Sequence, residues 1–317
     1  MTATDNFRDR ALQFFPGGSN GEYGIPEGDA PVLERGQGCR VWDTEGREYL
    51  DMTMAWGAVL VGHAHPKVLE AAAAAASKGA NFAAVNRPMV ELAERIADLS
   101  PCVERIRFVA SGTEATMLCL RTARATTGRP KILKFEGAYH GQYPEGVTSL
   151  VGSDLPELPQ PDSSGTGAPS VERDVLVAPY NDLASTRKIL TDYSDELAAV
   201  IVEPLHRCIP PVEGFLQGLR EATTGLGIVL VFDEVVTGFR LALGGAQEYY
   251  GVSPDLVAYG KGLGGGFPIG AFGGRADVME AVNEQRLPGP NYAWSASTTG
   301  GNPVSSAAAL AAIDVYS

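Results

Sequence analysis

The sequence has 317 residues, 44% hydrophobic and 20% charged, enough to bury a substantial core in one large or two modest domains. Its 25 basic against 38 acidic side chains give a net charge of −13. With no basic run, that balance excludes nucleic acid and anionic membrane from the expected partners, and no stretch approaches the ~20 apolar residues that span a bilayer.

The N-terminus, "MTATDNFRDRALQFFPGG", is polar and lacks the apolar core of a secretory signal. "PGGSNGEYGIPEGDAP" follows as a glycine- and proline-rich loop. "VLERGQGCRVWDTEGREYLDM" reads as short strands turning at "DTEG". Alanine-rich Pro66 to Ala76 predicts a helix, because alanine has the best helix propensity. A second helix is predicted near Pro88 to Leu99, where Val90, Leu92, Ile96 and Leu99 share one side.

Strands and helices then alternate. "RIRFVA" is a strand, "GTEATMLCLRTARATTG" a helix ending at Gly128, and "KILKFE" a strand. "LAAVIVEP" and "GIVLVFDEV" are continuous apolar strands, which suit a parallel sheet buried on both faces. With helical connections the pattern is α/β. "LVGSDLPELPQPDSSGTGAPSVERD" is a long surface loop, read either as an idle linker or as a gate over a site. Cys39, Cys102, Cys119 and Cys208 form no CxxC pair and read as reduced thiols, so a soluble cytoplasmic protein is expected.

In open α/β sheets, ligands bind beyond the carboxyl ends of strands. Three features fall there. In "FVASGTEAT", Ser111, Gly112 and Thr113 open a helix whose free N–H groups and dipole can hold a phosphate, although Ser and Thr are also ordinary caps. Asp233 ends an apolar strand, where a carboxylate is costly unless paired with an arginine or with a cationic ligand group. Lys261 lies among glycines in "YGKGLGGG", either as a solvated loop lysine or as a nucleophilic amine of depressed pKa. Together, a phosphate cradle, an acid and an amine suit pyridoxal phosphate, whose pyridinium nitrogen takes the acid and whose aldehyde carbon takes the lysine.

The motifs "GHAHP", "SGTEAT", "KFEGAYHG", "PYNDL", "FDEVVTGFR", "GKGLGGGFPIGAFGG" and "STTGGNP" run in order through nearly the whole chain. In them the sequence resembles the class III aminotransferases, which are fold-type I pyridoxal-phosphate enzymes, and especially their glutamate-1-semialdehyde 2,1-aminomutase-like branch. The resemblance implies a mostly parallel sheet flanked by helices, a smaller α+β domain built from both chain ends, and a homodimer. It implies residues 1–65 as the N-terminal part of the small domain and 66–317 as the large cofactor-binding domain. Lys261 matches the Schiff-base lysine, Asp233 the pyridine-nitrogen acid, and Tyr139 and Val235 the residues covering the two ring faces. Gly112 and Thr113, capped by Ser111, match the phosphate turn. Thr298 matches a threonine that reaches the neighbouring subunit's phosphate.

Other residues have open roles. His140 either orients the cofactor or holds backbone, and Glu203 ends a strand near the site. Trp56 is expected at the site entrance or in packing. His63 and His65 lack a third ligand and are read as shaping a turn, with no metal expected. The sequence departs from the aminomutase-like branch where Gly24 replaces its carboxylate-binding arginine, Gly21 its serine, and Cys208 its asparagine. Family members continue by about a hundred residues beyond "ALAAIDVYS", so a missing C-terminal part of the small domain is expected. The resulting expectation is an aminotransferase moving an amino group between a small-molecule amino acid or amine and a keto acid or aldehyde. The alternatives are the aminomutase, and a truncated non-catalytic protein that binds cofactor or a partner.

Overall fold

A seven-stranded sheet organises the molecule, seen in a computed structural model that describes residues 7–21, 31–150, 159–163 and 165–317. Its strands are β4 (Arg105–Val109), β5 (Lys131–Phe135), β6 (Val175–Ala178), β7 (Leu197–Val202), β8 (Val229–Asp233), β9 (Leu256–Tyr259) and β10 (Gly270–Gly274). They lie in the order β4-β10-β9-β8-β7-β5-β6. The pairs from β9 through β8, β7 and β5 to β6 are parallel, while β10 runs antiparallel to both β4 and β9. Before them, β1 (Leu33–Gln37), β2 (Arg40–Asp43) and β3 (Glu48–Leu50) form a separate antiparallel sheet.

The apolar strands lie where their composition requires. Every residue of β7 and β8 is buried. Alternation divides them between two cores, as the period-2 pleat dictates. Val200, Val202, Leu230 and Phe232 face the helices Arg87–Leu99, Leu183–Asp192 and Phe215–Leu226. Ala199, Ile201, Val229 and Val231 face the helix Gly112–Thr127. Fully burying side chains of this size is worth roughly 1.5–3 kcal/mol each, so this sheet is the rigid platform beneath the strand ends.

The helix boundaries follow local chemistry. Asn86 caps Arg87–Leu99 by accepting from the Met89 N–H at 3.1 Å. Ser111 caps Gly112–Thr127 by accepting from the Glu114 N–H at 3.2 Å, and Gly128 ends it in the left-handed conformation. The helix Pro66–Ala76 is present over the predicted span. Val68 and Ala72 from it meet Ala308 and Ala312 of Pro303–Tyr316, so the last helix is anchored on the body of the molecule.

Of the long loop after Leu150, residues 151–158 and 164 lie outside the described set, as does Gly24. The described residues of the loop run along β6, where the Val177 N–H donates to the Pro159 carbonyl at 3.0 Å. His63 is committed to a turn: its Nε2 lies 2.7 Å from Asp51 Oδ2 and its backbone bridges Gly38. Among the described residues no helix is long and apolar enough to cross a membrane.

Candidate active site

The ends of β4, β5, β7, β8 and β9 converge on one cleft of about 240 Å³. Its floor begins at the first turn of Gly112–Thr127. The first N–H groups of a helix have no internal acceptor, and Ser111 engages only that of Glu114. Glycine is required at 112, because a Cβ there would lie 2.8 Å from Val235 Cγ1. The close approach sets the helix start against the loop after β8.

Asp233 closes β8 and is 5% exposed. Its Oδ2 lies 2.7 Å from His140 Nδ1, and its Oδ1 accepts from the Val235 N–H at 3.1 Å. Burial lowers the His140 pKa, and the Asp233 carboxylate opposes that shift. A neutral imidazole donating from Nδ1 to Asp233 satisfies both. His140 Nε2 remains buried without a partner.

Lys261 follows β9 with φ 41, a left-handed conformation that costs a side-chain-bearing residue of order 1–2 kcal/mol. It lines the cleft, and among the described residues no carboxylate forms an ion pair with it. Burial lowers its pKa, against the pull of Asp233 and Glu203. The amine is thereby shifted toward the neutral, nucleophilic form. Glu203, at the end of β7, is pushed up to about 7 by burial and by the Asp233 charge.

A second lysine shows what the site does not use. Lys134 on β5 is fully buried, and its pKa falls to about 7 through burial. Its ammonium donates to the carbonyls of Ala138 at 2.9 Å and Gly146 at 3.2 Å, and to that of Thr148. These bonds tie down the loop that carries Tyr139 and His140.

Tyr139 and Val235 both line the cleft, as do Ser111, Gly112, Thr113 and His140. Thr298 does not. It is exposed, and its carbonyl accepts from Asn81 Nδ2 at 2.9 Å. Trp56 is 62% exposed and lies outside the lining. Arg207 is a cleft residue that the sequence reading passed over. The four-residue spacing after Glu203 in "VEPLHR" was the available signal, since a residue that close to a strand end falls at the site.

The donor set fits pyridoxal phosphate. Free helix N–H groups suit a phosphate, a buried carboxylate suits a pyridinium, and a pKa-depressed amine suits an aldehyde carbon. The unpartnered Nε2 of His140, buried at the same site, awaits a polar group.

Fold and site together define a pyridoxal-phosphate type of α/β transferase. The chain belongs to the class III aminotransferases: that family's model matches residues 26–317. A glutamate-1-semialdehyde 2,1-aminomutase of Thermomicrobium roseum is 45% identical over 321 residues, covering 99% of this chain and 73% of the relative. An omega-transaminase from Sphaerobacter thermophilus superposes with a TM-score of 0.93 at 38% identity, covering 99% of this chain and 73% of the other. A transaminase solved with the cofactor bound superposes with a TM-score of 0.89 at 33% identity, covering 98% and 72%.

Proposed function

We propose that this chain is a pyridoxal-phosphate aminotransferase that moves an amino group from an amino acid or amine to a keto acid or aldehyde. The observation that carries the reading is the convergence of Lys261, Asp233 and the Gly112–Thr113 turn on one cleft. When bound, pyridoxal phosphate supplies an electrophilic carbon for amine exchange and a conjugated ring that accepts electron density. The N–H groups of Gly112 and Thr113 hold the phosphate. Asp233, oriented by His140, keeps a proton on the ring nitrogen. Tyr139 and Val235, which both line the cleft, would cover the ring faces. Lys261 Nζ would hold the aldehyde carbon, and the same amine would move the proton of the donor's amine-bearing carbon.

Residues 1–65 serve in this reading as part of a small domain, and 66–317 as the cofactor-binding domain. The unpaired thiols, two of them buried, support a cytoplasmic setting. The test is spectroscopic. A donor amine added without acceptor is expected to bleach the visible band of the bound cofactor, and a keto acid to restore it. A band indifferent to every donor amine would overturn the reading.

The aminomutase is the second reading, favoured by the 45% identical relative of that name. Against it stand Gly24 and Cys208 at the branch's arginine and asparagine positions. Loss of a charge-assisted bond worth ~1.5–3 kcal/mol corresponds to about tenfold or more in substrate discrimination. Glutamate-1-semialdehyde supplied alone is therefore expected to yield little 5-aminolevulinate. Efficient conversion without an added donor decides for the aminomutase.

Assembly as a homodimer accounts for Thr298, which lies outside its own chain's cleft. Each phosphate would then be shared between Gly112 and Thr113 of one protomer and Thr298 of its partner. Mixing Thr298→Val with Lys261→Ala chains is expected to restore activity, because one site of the heterodimer carries neither lesion. Verified heterodimers that stay inactive would place Thr298 at its own chain's site.

A further inference from the structure

The cleft contains a cation that the proposed reaction leaves unused. Arg207 sits in the turn after β7, held at φ 57, and its side chain reaches the cleft that Lys261 lines. Its Nε and one terminal nitrogen both donate to the Gly137 carbonyl at 3.1 Å. The guanidinium carbon lies 6.0 Å from the centre of the Tyr139 ring. A guanidinium has five N–H donors in a planar fork, so two bonds on one edge leave the edge between the terminal nitrogens open. Of the neighbouring carboxylates, Asp233 meets His140, and Glu203 lies beside His206, takes the Arg207 backbone N–H and feels the Arg207 charge without pairing with its side chain. Among the described residues no carboxylate forms an ion pair with Arg207. Its charge is directed into the site, where it depresses the basicity of Lys261 and His140.

We propose that Arg207 receives the carboxylate of the amino donor and of the keto-acid acceptor, so that the cleft selects amino acids over neutral amines. The proposal deepens the aminotransferase reading and rests on it. A planar, always charged fork matches a carboxylate with two parallel hydrogen bonds. The anchoring at Gly137 and Tyr139 holds that fork in place before substrate arrives, which reduces the ordering cost of binding.

The experiment uses the cofactor-loaded protein and two donors, 3-amino-3-phenylpropionate and 1-phenylethylamine, which differ by one carboxylate. The parent is expected to show the higher kcat/KM for the acid. Arg207→Gln is expected to lower the acid-to-amine ratio at least tenfold, chiefly through KM, and Arg207→Lys to keep part of it. Binding of 3-phenylpropionate, followed through the cofactor's visible band, should weaken in the same order. A parent that favours the amine overturns the proposal. So does an Arg207→Gln variant that loses both donors equally, which would make the residue a brace for the Tyr139 loop. A parent whose band responds to no donor amine, these two included, defeats the aminotransferase reading itself, and so is told apart from a failure at Arg207.

Discussion

Lys261→Ala is expected to abolish turnover while leaving the fold and non-covalent cofactor binding in place. In the proposed mechanism the change removes both the amine that holds the cofactor and the base that moves the substrate proton. General acid–base catalysis alone contributes ~10²–10⁴-fold, so a loss of at least that size is expected. Two lysines have depressed pKa values, and the structure separates them. Lys134 is enclosed, and its donors are spent on the carbonyls of Ala138, Gly146 and Thr148. Lys261 lines the cleft, on a backbone held in the left-handed conformation. Borohydride reduction followed by mass mapping is expected to find the cofactor on Lys261. A label on Lys134, or a Lys261→Ala protein that turns over at the parent rate, defeats the assignment. The alanine variant should also unfold at a temperature no lower than the parent without cofactor, since it removes an amine whose charge burial disfavours.

The same comparison shows what could be read from sequence. β7 and β8 were legible because their apolar runs must be buried on both faces, and the helices at 66–76 and 112–127 because alanine content, Ser111 and Gly128 mark them. β10 was not legible. It reads "GAFGG", a composition that disfavours strands. Its glycines answer to its neighbours: a Cβ at Gly270 would lie 2.3 Å from the Ser111 carbonyl oxygen, and one at Gly273 2.6 Å from that of Arg105. Such a strand is specified by the chain beside it, and no local propensity reports that. The site divides likewise. Asp233 and Lys261 stood out because a charge at an apolar strand end and a lysine among glycines are locally anomalous. Lys134 and Arg207 did not stand out. An alternating lysine looks solvated, and only the fold shows that Lys134 faces inward and that Arg207 lies near Tyr139.

Asp233→Asn is expected to keep the fold and lose about two to four powers of ten in transamination. The carboxylate is 5% exposed, and its partners are the Val235 N–H and His140 Nδ1. The amide oxygen can accept from the Val235 N–H while its NH2 donates to Nδ1 of the other neutral tautomer of His140, so packing survives. What it cannot do is hold positive charge on a pyridine nitrogen, because it brings no negative charge. Losing one partner of a buried ion pair costs ~3–5 kcal/mol, and at ~1.36 kcal/mol per factor of ten that is a rate loss of the stated size. His140 supplies an independent readout. Burial lowers its pKa and the Asp233 charge counters that, so removing the charge should depress the imidazole further. The sign follows directly: a base loses affinity for its proton when the neighbouring anion goes. NMR titration of His140 in parent and variant measures this without any turnover. Parent-rate transamination by Asp233→Asn, with His140 shifted as described, would make Asp233 a brace for the imidazole and assign the ring nitrogen to another group.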